Sequence, residues 1–396
     1  MTSHSKYCEI LGRFYGLVRF GEKLSLDGPR ALNRDLGDPL SRYPSVLVGG
    51  TNGKGSTCAF LETALRASGL RTGLFTSPHL VSFTERIRIN GDPVTMDWVC
   101  ANAPDVLDLA EPASASFFEA AWGLAAKAFR EFEVDIAIWE VGLGGRLDAT
   151  NVAEPVAAAI TSIGLDHTHV LGETLSEIAS EKSAIFRSAT PALTGATGLG
   201  LSALQAVAPP HLQHVLCRDD LPDLALPGAH NKRNASLALA MSESLGYHPP
   251  ASCLSETRWP GRGERIDDVL LDCAHNPHAL IALGEWLHDS NLGPLHIIFG
   301  AMEGKDVSEM ASIIQGWSTS IVLVTPEYPR RVEAESLRPL FDDAEAQVIN
   351  HLSEALDQRP KDRITLVCGS GFLVGEARAA LMGVKFPECG LSTLAR

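Results

Sequence analysis

The stretch Val46-Leu47-Val48-Gly49-Gly50-Thr51-Asn52-Gly53-Lys54-Gly55-Ser56 runs from an apolar segment into a glycine-rich turn, and the pattern over 54–67 reads as a helix. Strand, glycine turn and helix in that order form a phosphate cradle. Glycines let backbone N–H groups converge on phosphate oxygens, and the helix N-terminus adds partial positive charge. Lys54 reaches the outer phosphates as a point charge, and Ser56 or Thr57 offers a hydroxyl to Mg²⁺. The spacing departs from G-x-x-x-x-G-K-[ST], because Gly55 stands between Lys54 and Ser56. A glycine-rich corner with an exposed lysine is the bland alternative; it makes a coincidence of Gly49, Gly50, Gly53, Lys54, Gly55 and Ser56. The motif implies a nucleoside triphosphate without saying what is done with it.

Around this motif lies a chain of 396 residues, too long for one core, so two domains are expected. The formal net charge of −15 argues against non-specific nucleic-acid binding and against anionic membranes. It leaves room for an anionic substrate held by local basic clusters. No apolar run approaches the roughly 20 residues that span a bilayer, and the opening Met-Thr-Ser-His-Ser-Lys-Tyr-Cys-Glu lacks a signal-peptide core. The eight cysteines are scattered without a C-x-x-C pair. Neither a zinc site nor a disulfide framework is therefore expected, a reducing cytoplasm fits, and the thiols read as small core residues.

From about residue 45 apolar runs alternate with helical patterns, the signature of a parallel sheet covered by helices. Strands are predicted at 46–49, 72–75, 135–140, 156–162, 192–194 and 214–217, and helices at 54–67, 96–108, 117–131, 177–185 and 230–245. The segment 246–265 changes character, with Pro249-Pro250 and Trp259-Pro260-Gly261-Arg262-Gly263. The predicted organisation is a P-loop ATPase-type parallel-sheet domain over 1–257, a linker at 258–265, and a smaller C-terminal Rossmann-like α/β domain over 266–396. In the latter, strands are predicted at 269–272, 296–299, 321–325, 346–350 and 364–368, and helices at 277–288, 307–316, 333–341 and 371–381.

Open α/β sheets bind ligands beyond the carboxyl ends of their strands. Glu140 ends one strand and is followed by a glycine loop holding Arg146 and Asp148; a carboxylate there suits Mg²⁺. Asp166, His167 and, less directly, His169 follow the next strand, so His167 is a candidate ligand. Ser77 follows the strand 72–75 as a further hydroxyl. Arg86 and Arg88 either serve an anionic substrate or belong to an ordinary charged hairpin. Lys182, on an amphipathic pattern, reads by itself as a lysine snorkelling from a helix face. Asp272 and His275 follow the first strand of the second domain. Asp272 is either a ribose partner or a cap for the next helix. Arg262 is either a phosphate ligand or a solvated linker arginine.

These residues together resemble the folylpolyglutamate synthase/dihydrofolate synthase family of Mur-ligase-like ATP-dependent amide ligases. The resemblance covers nearly the whole chain. It rests on Gly50-Thr51-Asn52-Gly53-Lys54-Gly55-Ser56, Thr76-Ser77-Pro78-His79-Leu80, Glu85-Arg86-Ile87-Arg88-Ile89-Asn90-Gly91, the loop from Glu140 through Asn151, Asp166-His167, Glu181-Lys182, His230 with Asn234, Trp259-Pro260-Gly261-Arg262, and Asp272-Cys273-Ala274-His275-Asn276-Pro277. It implies that Thr51, Asn52, Gly53, Lys54, Gly55 and Ser56 hold the ATP phosphates. Ser77, Glu140 and His167 would hold Mg²⁺, and Asn234, Arg262, Asp272 and His275 would meet the nucleotide. Lys182 matches a position carbamylated in many members. Arg86, Arg146 and Asp148 are candidate substrate contacts. The chain departs from the family at Phe20-Gly21-Glu22-Lys23-Leu24, where Gly-apolar-x-Arg-apolar is common, and after His230, where Gln is common.

The implied reaction is ATP-dependent ligation of L-glutamate to dihydropteroate, to a reduced folate, or to both, through an acyl phosphate. Lys54, Lys182 and His167 are its candidate catalytic residues. ATP, Mg²⁺ and, optionally, a monovalent cation are the implied cofactors, and a cytoplasmic monomer the implied state. A monofunctional folylpolyglutamate synthase, a P-loop switch and a cell-wall Mur ligase are the alternatives. A switch has no need of Asp272, His275 and the Trp-Pro-Gly-Arg segment. The Thr-Ser-Pro-His-Leu and Glu-Arg-Ile-Arg-Ile-Asn-Gly segments weigh against the cell-wall branch.

Overall fold

The computed structural model describes residues 3–17, 25–341, 346–386 and 388–389. The departure at 20–24 lies outside the described residues. The chain forms two compact units. The first comprises Met1–His79, Phe83–Ala225 and Asn231–Thr257; the second comprises Leu80–Ser82, Leu226–His230 and Arg258–Arg396.

The first unit is built on β1 (Ser45–Gly49), β2 (Thr72–Phe75), β3 (Ile87–Ile89), β4 (Asp92–Pro93), β5 (Ile136–Glu140), β6 (Pro155–Ile160), β7 (Ala192–Thr194) and β8 (Gln213–His214). They form an eight-stranded sheet in the order β4-β3-β2-β5-β1-β6-β7-β8. β1 lies between β5 and β6, parallel to both. Every residue of β1 and β5 is buried, as a parallel sheet covered on both faces requires. The segment 85–92 contributes β3, antiparallel to β2, and the start of β4, antiparallel to β3, so Arg88 stands in a hairpin.

The helix Phe117–Glu131 starts with a capping box in which Ser116 and Glu119 satisfy each other's backbone N–H groups. It buries Trp122 and Phe129, and the Phe129 ring lies 4.9 Å from that of Trp139 in β5. Burying an aromatic side chain of this kind contributes on the order of 2–3 kcal/mol. The helices Ser3–Gly16, Asp27–Asp35 and Gly198–Gln205 escaped the sequence reading. Asp27–Asp35 buries only Pro29, Leu32 and Asn33, so it shows little apolar stripe. Gly198 and Gly200 weaken the helical pattern of Gly198–Gln205.

The second unit holds β9 (Glu264–Ile266), β10 (Val269–Leu271), β11 (Leu295–Phe299), β12 (Ser318–Leu323), β13 (Ala346–Val348) and β14 (Thr365–Cys368). The six-stranded sheet has the order β13-β12-β11-β14-β10-β9, parallel except for β9. β9 begins inside the stretch read as a linker, because Glu264 and Arg265 pair with Leu271 and Leu270. One face packs Leu270, Ile297, Leu323 and Leu366 under apolar helix residues; the other packs Val269, Ile298, Val322 and Val367. The helix predicted at 333–341 is a short turn, Ala334–Leu337, followed by the 3-10 turn Arg338–Leu340. Pro339, without an N–H, limits the regular helix. Among the described residues no helix is long and apolar enough to cross a membrane. Cys58, Cys100, Cys273 and Cys368 are buried free thiols, whereas Cys217 is exposed.

Candidate active site

β1 ends at Gly49 and the helix Lys54–Ala67 begins five residues on, with Gly53 as its N-cap in the left-handed region at φ 85°. A Cβ at Gly53 would stand 2.7 Å from Asn234 Oδ1, so glycine lets the turn pass that carboxamide. Asn234 is buried, and its Nδ2 donates to Asn231 Oδ1 at 3.1 Å. Asn234 and the phosphate turn are thus neighbours.

The turn is woven to the segment after β6. The Thr51 N–H donates to the Ser162 carbonyl at 2.9 Å. The Asn52 N–H donates to Ser162 Oγ at 3.0 Å, and Thr161 Oγ1 donates to the Asn52 carbonyl at 2.6 Å. Thr51 Oγ1 donates to the Gly164 carbonyl and accepts the Gly164 N–H, both at 3.1 Å. Sequence reasoning missed Thr161 and Ser162, because they fell inside the predicted strand and strand-end hydroxyls look alike. Lys54 Nζ donates to the carbonyls of Gly50 and Thr51 at 3.1 and 3.2 Å. Ser56 and Thr57 are buried, and Thr57 Oγ1 has no hydrogen-bond partner among the described residues.

Lys182 does not snorkel. It is 5% exposed, and its Nζ donates to the Gly50 carbonyl at 3.1 Å. Burial and then the Lys54 charge push its pKa down to about 7, against the pull of Asp166 and Asp148. The helix Leu175–Ser183 that carries it starts with a Thr174–Glu177 capping box.

The sheet order β2-β5-β1-β6 places the residues after each strand along one carboxyl edge. Glu140, buried, ends β5 beside Val48. One of its carboxylate oxygens accepts the Ser77 N–H at 3.0 Å. Ser77 and Glu140 therefore stand together beside the phosphate turn. His167 follows β6 in a left-handed conformation, φ 51°, with its ring 44% exposed. Carboxylate, hydroxyl and imidazole are a donor set that fits Mg²⁺ or Mn²⁺, and the structure holds Glu140 against the backbone N–H of Ser77.

Of the candidate substrate contacts, Arg86 and Asp148 are buried and Arg146 is exposed. Arg86 is buried; its Nε donates to His79 Nδ1 at 2.8 Å, and its guanidinium lies 4.8 Å from the Phe117 ring centroid. Burial and Arg86 hold the His79 pKa well below its ordinary range. Arg88 donates to the Gly91 carbonyl and so braces its own hairpin. Asp148 is buried and its oxygens accept from the N–H groups of Gly142, Leu143 and Thr150 and from Thr150 Oγ1, at 2.5–3.0 Å. It folds the glycine loop rather than facing a substrate. Burial raises its pKa while these donors oppose the shift. Arg146 is exposed and pairs with Glu181 at 2.9 Å.

Arg187, which no motif flagged, ties that loop to the Lys182 helix. Its Nη1 donates to the carbonyls of Ala184, Ile185 and Phe186 at 3.2–3.4 Å. Its Nη2 donates to the Asn151 side-chain oxygen and the carbonyls of Asn151 and Ala153 at 3.1–3.3 Å.

In the second unit Asp272 is buried at the end of β10. One oxygen accepts the Gly263 N–H and the other the Ala274 N–H, each at 2.9 Å. The helix cap is Asn276, whose Oδ1 accepts the Ala279 N–H at 2.8 Å, so Asp272 is not the cap. His275 Nδ1 donates to the Cys273 carbonyl at 2.8 Å, which sets its tautomer. Arg262 is half-buried, and its charge opposes the burial-driven rise of the Asp272 pKa.

Residues 48–195 match the Mur ligase middle domain and 261–371 the Mur ligase glutamate ligase domain. A phosphate-cradle sheet unit followed by a glutamate ligase domain is the architecture of a Mur-type ligase. Within that class the chain belongs to the folylpolyglutamate synthase/dihydrofolate synthase family. It is 31% identical to the Bacillus subtilis dihydrofolate synthase/folylpolyglutamate synthase, over 95% of this chain and 99% of that protein. The structure of Escherichia coli FolC in complex with DHPP and ADP superposes with a TM-score of 0.85 at 28% identity, over 95% of this chain and 98% of that one. The chain also spans about half, 51%, of a Haloferax volcanii relative named as a probable bifunctional folylpolyglutamate synthase/dihydropteroate synthase; the two are 32% identical over 97% of this chain.

Proposed function

We propose that this chain ligates L-glutamate to a folate-type carboxylate, using ATP, and that it serves both dihydropteroate and reduced folates. The observation that carries the reading is the Gly50–Ser56 cradle, flanked on one side by Ser77 and Glu140 and on the other by a buried lysine, Lys182, hydrogen-bonded into the cradle itself. A substrate carboxylate oxygen attacks the γ-phosphorus and ADP leaves, giving an acyl phosphate. The glutamate amine then attacks the acyl carbon, phosphate leaves, and the amine proton is lost to solvent. Phosphoryl transfer of this kind is governed by positioning and charge neutralisation, which suits a site without a protein nucleophile. Lys54 would leave its loop carbonyls for the outer phosphates. Ser77, Glu140 and His167 would hold the Mg²⁺ that accompanies ATP and neutralises its charge. A lysine with a pKa near 7 is substantially neutral at neutral pH, the form that adds CO₂, so Lys182 suits the carbamate the resemblance implies.

Phosphate release tests the reading, with ATP, Mg²⁺ and L-glutamate and with dihydropteroate or a reduced folate monoglutamate in separate reactions. Release with both acceptors supports the bifunctional reading, and release with one selects a single activity. Silence with both, alongside normal ATP binding, sinks the ligase assignment.

A further inference from the structure

We propose that Glu264 and Arg378 are positioning residues that pre-form the Arg262 turn and thereby set the affinity for nucleotide. The inference rests on the reading of Arg262 as a nucleotide contact and adds the device that holds it. Gly261 and Gly263 flank Arg262, both in the left-handed region at φ 68° and 60°. A Cβ on Gly261 would stand 2.7 Å from Cys273 Sγ, and one on Gly263 2.5 Å from Pro227 Cγ, so the reversal is confined on both sides.

Each flanking glycine amide is clamped by a carboxylate. The Gly261 N–H donates to Glu264 Oε2 at 2.8 Å, and the Gly263 N–H to Asp272 Oδ2 at 2.9 Å. The Gly261 carbonyl in turn accepts the Cys273 N–H at 2.8 Å. Asp272 is anchored through its second oxygen on Ala274. Glu264 sits on the edge strand β9 and is anchored by Arg378, from the helix Gly371–Met382, whose Nε lies 3.0 Å from both carboxylate oxygens. The Arg378 and Glu264 side chains are 19% and 23% exposed, so water competes weakly for this pair. An arginine on a turn already fixed at both neighbours binds without the entropic cost of ordering that turn.

The variants are Glu264→Gln, which keeps an acceptor oxygen but loses the charge, Arg378→Gln, and Arg378→Lys. In the intact chain, KM for ATP, KM for the acceptor, kcat, and amide exchange over 261–263 are measured. Both Gln variants are expected to raise KM for ATP about fivefold or more, with kcat and acceptor KM within about twofold, and to speed exchange over 261–263. Arg378→Lys is expected to recover part of the affinity. Faster exchange with an unchanged KM for ATP overturns the proposal. Arg262→Ala then says why: if it raises KM for ATP, the clamp does not control Arg262; if it does not, the nucleotide role of Arg262 has failed. Equal losses in both KM values and kcat, tracking a fall in melting temperature, mark general structural damage and also overturn it.

Discussion

The side-chain amines of Lys54 and Lys182 converge on one acceptor, the carbonyl oxygen of Gly50, each at 3.1 Å. Burial is the larger force lowering the Lys182 pKa to about 7, and the nearby Lys54 charge adds to it.

That shift makes a pH-dependent stability. Lys182 titrates near 7 when folded and near 10.5 when unfolded. Between these values the unfolded chain holds the extra proton, so the Lys182 contribution to stability rises with pH across that window. Below it both states are protonated, and the cost of the buried charge is present in full. Lys182→Met lacks this cost. The variant's stability relative to the parent is expected to fall by about 1.4 kcal/mol per pH unit above about pH 7 and to be flat below it. Urea denaturation of both proteins at several pH values checks this; a difference constant across the window contradicts it.

Gly53→Ala forces a side chain into the left-handed region and against Asn234. It is expected to cost about 1–3 kcal/mol and to weaken ATP binding. Adding Asn234→Ala relieves the clash but not the backbone strain, so the double variant is expected to regain only part of the stability. Thermal unfolding and nucleotide titration of the single and double variants decide it.

The two charged residues of the glycine loop, Arg146 and Asp148, should respond very differently. Asp148→Ala strands the donors of Gly142, Leu143 and Thr150 and is expected to cost about 2–4 kcal/mol. Arg146→Ala removes an exposed pair with Glu181 and is expected to cost under about 1 kcal/mol. Chemical denaturation that ranks them in the opposite order would refute the assignment of Asp148 as the loop's organiser.

Chelation of divalent metal is expected to abolish phosphate release, with recovery on adding Mg²⁺. Glu140→Gln is expected to raise the Mg²⁺ concentration for half-maximal activity about tenfold or more. A Mg²⁺ dependence unchanged in this variant would remove Glu140 from the metal site.

The strands and major helices were legible because a doubly covered sheet writes itself as short apolar runs separated by glycine and helical patterns. β2, with Thr72–Phe75, and the helices Lys54–Ala67 and Phe117–Glu131 emerge at the residues read from the sequence. The positions of Ser77 and Glu140 were legible for the same reason, since both follow strands on one edge. What Lys182, Arg86 and Asp148 do was not. Each is a charged residue whose burial depends on partners distant in sequence: Gly50 for Lys182, Phe117 for Arg86, and for Asp148 the fold of an entire loop. Local pattern describes the face a residue starts from, not the neighbour that tertiary packing brings to it.

The reach of Arg187 sets a limit on which sequences can keep this site. Five main-chain carbonyls, of Asn151, Ala153, Ala184, Ile185 and Phe186, fall within reach of one planar fork. No side chain but a guanidinium offers that many fixed donors in one plane. Apart from the side chains of Asn151 and Glu154, its acceptors are backbone, so Arg187 places no demand on the identity of the other residues it grips. Drift in the sequence of 152–153 and 184–186 is therefore compatible with this grip while position 187 stays fixed, and lysine there counts as a loss rather than a conservative exchange.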